Sequence, residues 1–94
     1  MVKTQHIKGK NKGKILLYAL STCGWCKKTK ELLKSLDVEY EYIDVDTLSG
    51  DELSEVRDEV RKYNPRQSYP TIVIDGGKKV IIGHKDEEII EVLG

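Results

Sequence analysis

The sequence predicts one α/β domain whose elements follow the order β-α-β-α-β-β-α. Its 94 residues leave room for a single domain. Two segments of strand length are each followed by a segment with helical spacing of apolar residues, and a Gly-Gly turn between two further apolar segments indicates a β-hairpin. A right-handed β-α-β crossover sets the first two strands parallel. We therefore expect a central mixed four-stranded sheet flanked by three helices.

The first half of the chain contains two strands and two helices. Residues 14–21 are centred on a continuous apolar run, which is typical of a strand buried on both faces. Residues 39–46 alternate apolar and acidic side chains, as a second strand does. Apolar residues recur at helical spacing over residues 24–36 and again from about residue 49 to residue 63, which predicts two amphipathic helices.

The second half adds the hairpin and a last helix. Pro70 opens a third strand over residues 71–75, a Gly-Gly pair makes the turn, and residues 78–82 return as the fourth strand. A last helix runs from about residue 85 to residue 93. Four of its apolar side chains are expected to point inward: Ile89, Ile90, Val92 and Leu93.

Residues 1–13 form a basic N-terminal extension ahead of the domain, which spans residues 14–94. Within the extension, residues 2–8 form either a short additional strand or a tail. Residues 1–34 hold nine lysines and one acid, whereas residues 35–60 hold ten acids and one arginine. Because the whole chain is neutral and carries no nucleic-acid-binding motif, we expect no nucleic-acid partner.

The apolar content excludes a membrane-spanning helix. The longest purely apolar run, residues 15–20, has six residues, whereas a spanning helix needs about 20. No secretory signal sequence precedes this run. We therefore expect a cytoplasmic protein with no membrane association, and in that compartment paired cysteines are more often catalytic or metal-binding than structural.

The candidate chemistry is concentrated in Cys-Gly-Trp-Cys at residues 23–26, where a buried strand ends and a helix begins. The free N–H groups and the positive end of the helix dipole favour the thiolate form of Cys23, and Lys27 and Lys28 add positive charge. The two-residue spacer lets the sulfurs approach within bonding distance. We therefore predict that Cys23 attacks a disulfide and that Cys26, one turn further in, stays a thiol until it resolves the mixed disulfide.

Two other interpretations of the cysteine pair are weaker. A zinc site needs about four ligands, and the further candidates, His6 and His84, lack the spacing of a zinc motif, so we expect no metal site. Two inert core cysteines are disfavoured, because C-x-x-C at a strand-to-helix junction within a β-α-β pattern is typical of redox proteins. His84 is either a solvated turn residue or a group that contributes charge near the active site.

Three segments resemble the glutaredoxin family. Residues 17–26 (LYALSTCGWC) are similar to its active-site strand and motif, residues 69–71 (Tyr-Pro-Thr) to its cis-proline loop, and residues 83–86 (Gly-His-Lys-Asp) to the loop that opens its last helix. The resemblance covers residues 14–94. It implies the thioredoxin fold and a protein-disulfide reductase that carries electrons, either in cell redox homeostasis or to a reductase such as ribonucleotide reductase.

The resemblance also implies roles for residues around the cysteines. Pro70 would be a cis proline beside a redox-active Cys23–Cys26 disulfide, and the backbone of Tyr69 would pair with an extended substrate segment. Because the cysteines carry the electrons, no bound organic cofactor is expected. The partners would be disulfide-containing proteins, and the chain itself would act as a monomer. The other candidate substrate-binding residues are Trp25, Arg66, Gly83 and His84.

Departures from the family pattern bear on the electron donor. Leu20 stands where glutaredoxins often carry a lysine that meets a glutathione carboxylate, although Arg66 matches a basic position flanking the glutathione site. Glutathione is therefore expected to be a poor reductant, and a flavin-dependent enzyme of the thioredoxin-reductase type is the other candidate donor. Leu17 occupies the position of a buried aspartate of thioredoxins, which leaves the base for Cys26 unassigned.

Gly24 implies an alternative function. It resembles the small residue of glutaredoxins that share a [2Fe–2S] cluster between two chains, with glutathione supplying the remaining ligands. Cluster irons bind cysteine thiolates, so Cys23 would be the ligand from this chain.

Overall fold

Five strands and three helices make up the computed structural model, which describes residues 4–94. The strands are β1 (Gln5–Ile7), β2 (Ile15–Ala19), β3 (Tyr40–Asp44), β4 (Thr71–Ile74) and β5 (Lys79–Ile82). The helices are α1 (Gly24–Ser35), α2 (Gly50–Tyr63) and α3 (Asp86–Leu93). Within residues 4–94, no helix has the length and apolar character that crossing a membrane requires.

The strands form one mixed sheet in the order β1-β3-β2-β4-β5. β2 and β3 are parallel, as the crossover predicts, and β4 and β5 form the predicted antiparallel hairpin. The sheet has five strands rather than four, because β1 pairs antiparallel with β3 and places Ile7 opposite Tyr40. This pairing satisfies backbone groups that β3 would otherwise expose at the sheet edge. The additional N-terminal strand is thus confirmed, while residues 2 and 3 of its predicted range lie outside the described residues.

The segment between β1 and β2 is tied to the rest of the domain by backbone hydrogen bonds. The Lys10 N–H donates to the Asp37 carbonyl at 2.7 Å, and the Lys10 carbonyl accepts the Glu39 N–H at 2.8 Å. Further along, the Lys14 N–H donates to Asp75 Oδ1 at 2.9 Å. The described part of the basic extension therefore packs along the sheet.

Alternation along the central strand builds an apolar layer on each face of the sheet. On one face, Leu17 and Ala19 pack in a cluster with Cys26 of α1 and Ile89 of α3. On the other face, Tyr18 packs in a second cluster against α2. β2 is therefore buried on both faces, as its continuous apolar sequence predicts, and Cys26 belongs to the core on the α1 side.

The last helix differs from the prediction on one side. Ile89 and Leu93 are buried, but Ile90 and Val92 are 48% and 39% exposed. At 3.6 residues per turn, positions four apart share a face, whereas their immediate neighbours turn away from it. The prediction that all four apolar side chains point inward is therefore wrong for Ile90 and Val92.

Candidate active site

The Cys-Gly-Trp-Cys motif lies where the central strand β2 leads into α1. The turn between them is closed by the Cys23 N–H, which donates to the Leu20 carbonyl at 3.2 Å. Cys23 occupies the N-cap of α1 with an extended backbone, and its Sγ accepts the Cys26 N–H at 3.2 Å. The first turn of a helix has backbone donors without intrahelical partners. One of these backbone donors therefore forms a hydrogen bond with the Cys23 sulfur.

The two cysteines, both free thiols, differ in burial. Cys23 is partly exposed, whereas Cys26 is fully buried. Burial, together with a hydrogen bond to Cys23, raises the pKa of the Cys26 thiol to about 12. The Leu20 N–H donates to Cys26 Sγ at 3.5 Å and acts in the opposite direction. Cys23 is therefore the sulfur that a substrate can reach, and Cys26 is protonated at neutral pH.

The Tyr69–Pro70 peptide bond is cis, as the resemblance implies. Pro70 is buried, and its carbonyl accepts the Gly83 N–H at 2.8 Å, which joins the start of β4 to the loop after β5. Tyr69 packs against both apolar clusters. Burial raises the pKa of its phenol, the nearby Arg57 acts in the opposite direction, and Cys26 adds a smaller rise. Tyr69, Pro70 and Gly83 are thus neighbours, and Tyr69 places them beside the cysteine pair.

Trp25 and His84 form a ring contact next to the cysteines. Trp25 is 59% exposed, and its indole stacks on the His84 imidazole with ring centroids 5.7 Å apart. Lys28 places its Nζ 4.6 Å from the centroid of the Trp25 ring, while Lys27 is exposed. His84 is partly buried, and its Nδ1 lies 2.8 Å from Thr29 Oγ1. The structure thus places His84 against the ring of Trp25, inside the Cys-Gly-Trp-Cys motif, and against Thr29 of α1.

A groove beside Leu20 and Tyr69 contains two arginines of α2, Arg57 and Arg61. Arg66, which the resemblance implies beside a glutathione site, is also exposed, but it does not line this groove. The structure therefore brings Arg57 and Arg61, rather than Arg66, to the side of Leu20. The groove is lined by Leu20, Val45, Asp46, Leu53, Arg57, Arg61, Gln67 and Tyr69.

Asp46 anchors the turn that precedes Cys23. Its carboxylate accepts the Ser21 hydroxyl at 2.6 Å and the Ser21 N–H at 2.8 Å. These hydrogen bonds lower the pKa of the Asp46 carboxyl, so the side chain is ionised at neutral pH. Asp46 follows β3, and the parallel pairing of β2 with β3 brings the carboxyl ends of both strands to one edge of the sheet.

The sequence prediction omits four residues that the structure brings to the site. Asp46 has a detectable signal, since an acidic residue after the second of two parallel strands shares a sheet edge with Cys23. Arg57 and Arg61 also have one, because positions four apart lie on one helix face. Thr29 has none, because its partner His84 is 55 residues away and only tertiary packing joins them.

Residues 15–79, more than half of the chain, match the model of the glutaredoxin family. The chain belongs to the glutaredoxin family. This glutaredoxin is 38% identical over 79 residues to an uncharacterised glutaredoxin-like 8.6 kDa protein in the rubredoxin operon of Clostridium pasteurianum. The alignment covers 84% of this chain and 96% of that protein.

Solved structures are similar to this glutaredoxin over nearly its full length. The glutaredoxin from Methanosarcina mazei Go1 has a TM-score of 0.88 and 47% identity, with 99% of this chain and 89% of that chain covered. Methanoredoxin from Methanosarcina acetivorans has a TM-score of 0.87 and 46% identity, with 92% and 90% covered. These similarities confirm the thioredoxin fold and identify a glutaredoxin-like redox protein with a Cys-x-x-Cys pair.

Proposed function

We propose that this glutaredoxin is a cytoplasmic thiol–disulfide oxidoreductase that reduces protein or small-molecule disulfides through Cys23 and Cys26. The observation that carries the proposal is the difference between the two sulfurs. One is partly exposed at a helix N-cap with a backbone donor 3.2 Å away, and the other is buried with a raised pKa. Thiol–disulfide exchange by a cysteine pair requires an accessible thiolate for the first attack and a second thiol that stays protonated until the next step.

The reaction consists of two exchange steps. The Cys23 thiolate attacks one sulfur of the substrate disulfide, so that a mixed disulfide forms and the other substrate sulfur leaves as a thiolate. Cys26 then gives its proton to that thiolate or to water and attacks Cys23 Sγ, which releases the second substrate sulfur. The second substrate sulfur leaves as a thiolate and takes a proton from water, which replaces the proton that Cys23 lost on ionisation. The substrate thus gains two electrons and two protons in all, and the protein ends as the Cys23–Cys26 disulfide. A thiol donor or a reductase returns the two electrons.

A disulfide reduction assay with two separate donor systems tests this function. One arm supplies glutathione with its reductase, and the other supplies an enzyme of the thioredoxin-reductase type. Consumption of NADPH that depends on both the chain and a disulfide substrate is expected in at least one arm, and the faster arm identifies the donor class. If dithiothreitol-reduced chain also fails to reduce a polypeptide disulfide, the proposed function is rejected.

The groove beside Leu20 supports recognition of an anionic donor. Arg57 and Arg61 supply two positive charges, Asp46 supplies one negative charge, and Leu20 supplies none. Arg61 also forms an ion pair with Asp58 at 3.3 Å. Arginine suits this task because its planar guanidinium pairs with carboxylates through two donors. Both arginines are exposed, so each ion pair contributes less than a buried one would. We therefore propose that glutathione binds weakly in this groove and reduces the protein slowly.

Leu20→Lys is expected to speed reduction of the Cys23–Cys26 disulfide by glutathione, and Arg57→Ala is expected to slow it. Each exposed ion pair of this kind is expected to change the rate of reduction by glutathione by roughly twofold to fivefold. The measured quantity is the rate with glutathione divided by the rate with 2-mercaptoethanol, a neutral thiol without carboxylates. Lys62→Ala removes a charge of α2 outside the groove and should leave this ratio unchanged. A constant ratio in all three variants would exclude charge recognition in the groove.

A [2Fe–2S] cluster is the second candidate, because Gly24 resembles the small residue of glutaredoxins that share such a cluster and its surroundings leave room for a second chain. A Cβ at this position would meet no heavy atom of residues 4–94 within 4 Å, apart from its chain neighbours and its own helix backbone. A cluster shared by two chains would take the reachable Cys23 from each. The described residues contain no group of three or more His, Cys, Asp and Glu side chains placed to hold a metal ion, so the remaining ligands would come from outside the chain.

Visible absorbance of anaerobically purified protein tests the cluster. A cluster held by Cys23 would produce visible bands that Cys23→Ser removes. Colourless wild-type protein that still reduces disulfides would reject this second candidate and leave the reductase.

A further inference from the structure

Trp25 is largely exposed, yet its ring has two fixed neighbours. The His84 imidazole stacks on it with an angle of 28° between the ring planes, and the Lys28 ammonium lies 4.6 Å from its centroid. Stacked rings and a cation near an indole both attract it. These contacts favour one orientation of the indole beside the cysteine pair.

Thr29 connects both partners of the ring stack. It is fully buried one turn after Trp25, and its hydroxyl lies 3.1 Å from the Trp25 carbonyl and 2.8 Å from His84 Nδ1. A carbonyl only accepts, so the hydroxyl donates its single proton to Trp25. The bond to His84 then requires Nδ1–H as donor. With this donor direction, a neutral His84 bonds to Thr29 as the Nδ1–H tautomer.

The loop that carries His84 is attached to the cis-proline segment. The Gly83 N–H donates to the Pro70 carbonyl at 2.8 Å, and the Lys85 N–H donates to the Gly83 carbonyl at 3.0 Å. Gly83 has a φ of +87°, a conformation that favours glycine, so the turn into His84 depends on this residue. His84 thus joins the proline segment to α1, the helix that carries both cysteines.

We infer that His84 and Thr29, here named the indole clamp, orient Trp25 as a binding surface for polypeptide substrates, with His84 as a positioning residue. The inference rests on the proposed reductase function. A flat apolar ring held two residues after the attacking cysteine binds an apolar side chain that flanks a substrate cysteine, and it loses little freedom when it does so. The clamp therefore strengthens binding of polypeptide disulfides and leaves the exchange steps at the sulfurs unchanged.

His84→Ala and Thr29→Val test the clamp. Trp25 is the single tryptophan of the chain, so its fluorescence reports the clamp directly. Both variants are expected to make Trp25 more accessible to acrylamide quenching. For a polypeptide disulfide, KM should rise about threefold to tenfold while kcat stays within about twofold. A small disulfide without flanking side chains should show no change in KM.

Nitrogen NMR of the imidazole ring reports the Thr29–His84 hydrogen bond directly, independently of the kinetic readout. At a pH where His84 is neutral, the wild-type ring should be protonated at Nδ1, and Thr29→Val should shift it towards protonation at Nε2. His6→Ala is the matched control, because His6 is the other histidine and lies on β1 beside Glu39. It should leave quenching and KM unchanged.

The outcomes separate the clamp from the function on which it rests. An active wild-type chain whose KM for the polypeptide stays constant in both variants would reject the clamp alone. An equal rise in KM for the small disulfide would reject the polypeptide surface. A wild-type chain that reduces neither substrate would reject the proposed function and the clamp with it.

Discussion

Cys23→Ser is expected to lower the rate of disulfide reduction by about a thousandfold or more, because a serine hydroxyl at neutral pH is a poor nucleophile and forms no mixed disulfide. Cys26→Ser should instead complete the first exchange and stop. The measurement is a single turnover of each reduced variant with a polypeptide disulfide, without any thiol donor, followed by intact mass. Cys26→Ser should retain one half of the substrate as a covalent adduct that dithiothreitol removes.

The burial of the two sulfurs makes these outcomes asymmetric. Cys26 is fully buried beneath the turn, so an adduct on it would require α1 to move away from β2. Lys34→Ala, which alters an exposed side chain near the other end of α1, is the matched control and should react like the wild type. An adduct on Cys26 in the Cys23→Ser variant would show that Cys26 can make the first attack. This result would overturn the proposed order of steps.

Local patterns predict the order of elements because each element buries its own apolar residues. The β2 sequence is apolar at every position, and the structure covers it on both faces. The sequence of β1 is only three residues long and mostly exposed, so its strand character depends on pairing with β3. At α3, apolar composition alone overstates burial, because only the face containing Ile89 and Leu93 meets the sheet.

The residues of the candidate site also fall into two groups, those defined by a local sequence motif and those brought in by contacts between distant positions. The cysteine pair is a short motif that the sequence identifies, whereas the cis Tyr69–Pro70 bond is implied only by the resemblance of the Tyr-Pro-Thr segment to the family. Asp46 reaches Ser21 across 25 positions, and His84 reaches Thr29 across 55. Such contacts depend on which strands pair and on how the last loop folds back over α1. A single sequence does not specify these distances, so the supporting residues emerge only from the fold.

Alkylation of the reduced native protein is expected to modify Cys23 and spare Cys26. The thiolate is the reactive form, and a pKa of about 12 leaves Cys26 almost entirely protonated at pH values near neutrality. Together with full burial, this should make iodoacetamide react with Cys26 at least about a hundredfold more slowly than with an ordinary exposed thiol. Mass spectrometry of the tryptic peptide spanning residues 15–27, with fragmentation between the two cysteines, measures both rates.

The pH dependence of Cys26 alkylation follows from the direction in which the pKa of this thiol is shifted. Because the pKa of Cys26 is raised, its thiolate fraction grows about tenfold for each pH unit below that value, and its alkylation rate should rise in proportion. In the Cys23→Ser variant Cys26 is the only thiol, so total label incorporation gives its rate when burial is the main remaining cause of the raised pKa and the contact with the Cys23 sulfur is gone. Denaturant should make both cysteines react alike in the wild type, because burial is then lost. Equal alkylation rates of Cys23 and Cys26 in the native protein would show that burial does not slow the reaction of Cys26. The assignment of the first attack to Cys23 and of the second to Cys26 would then be wrong.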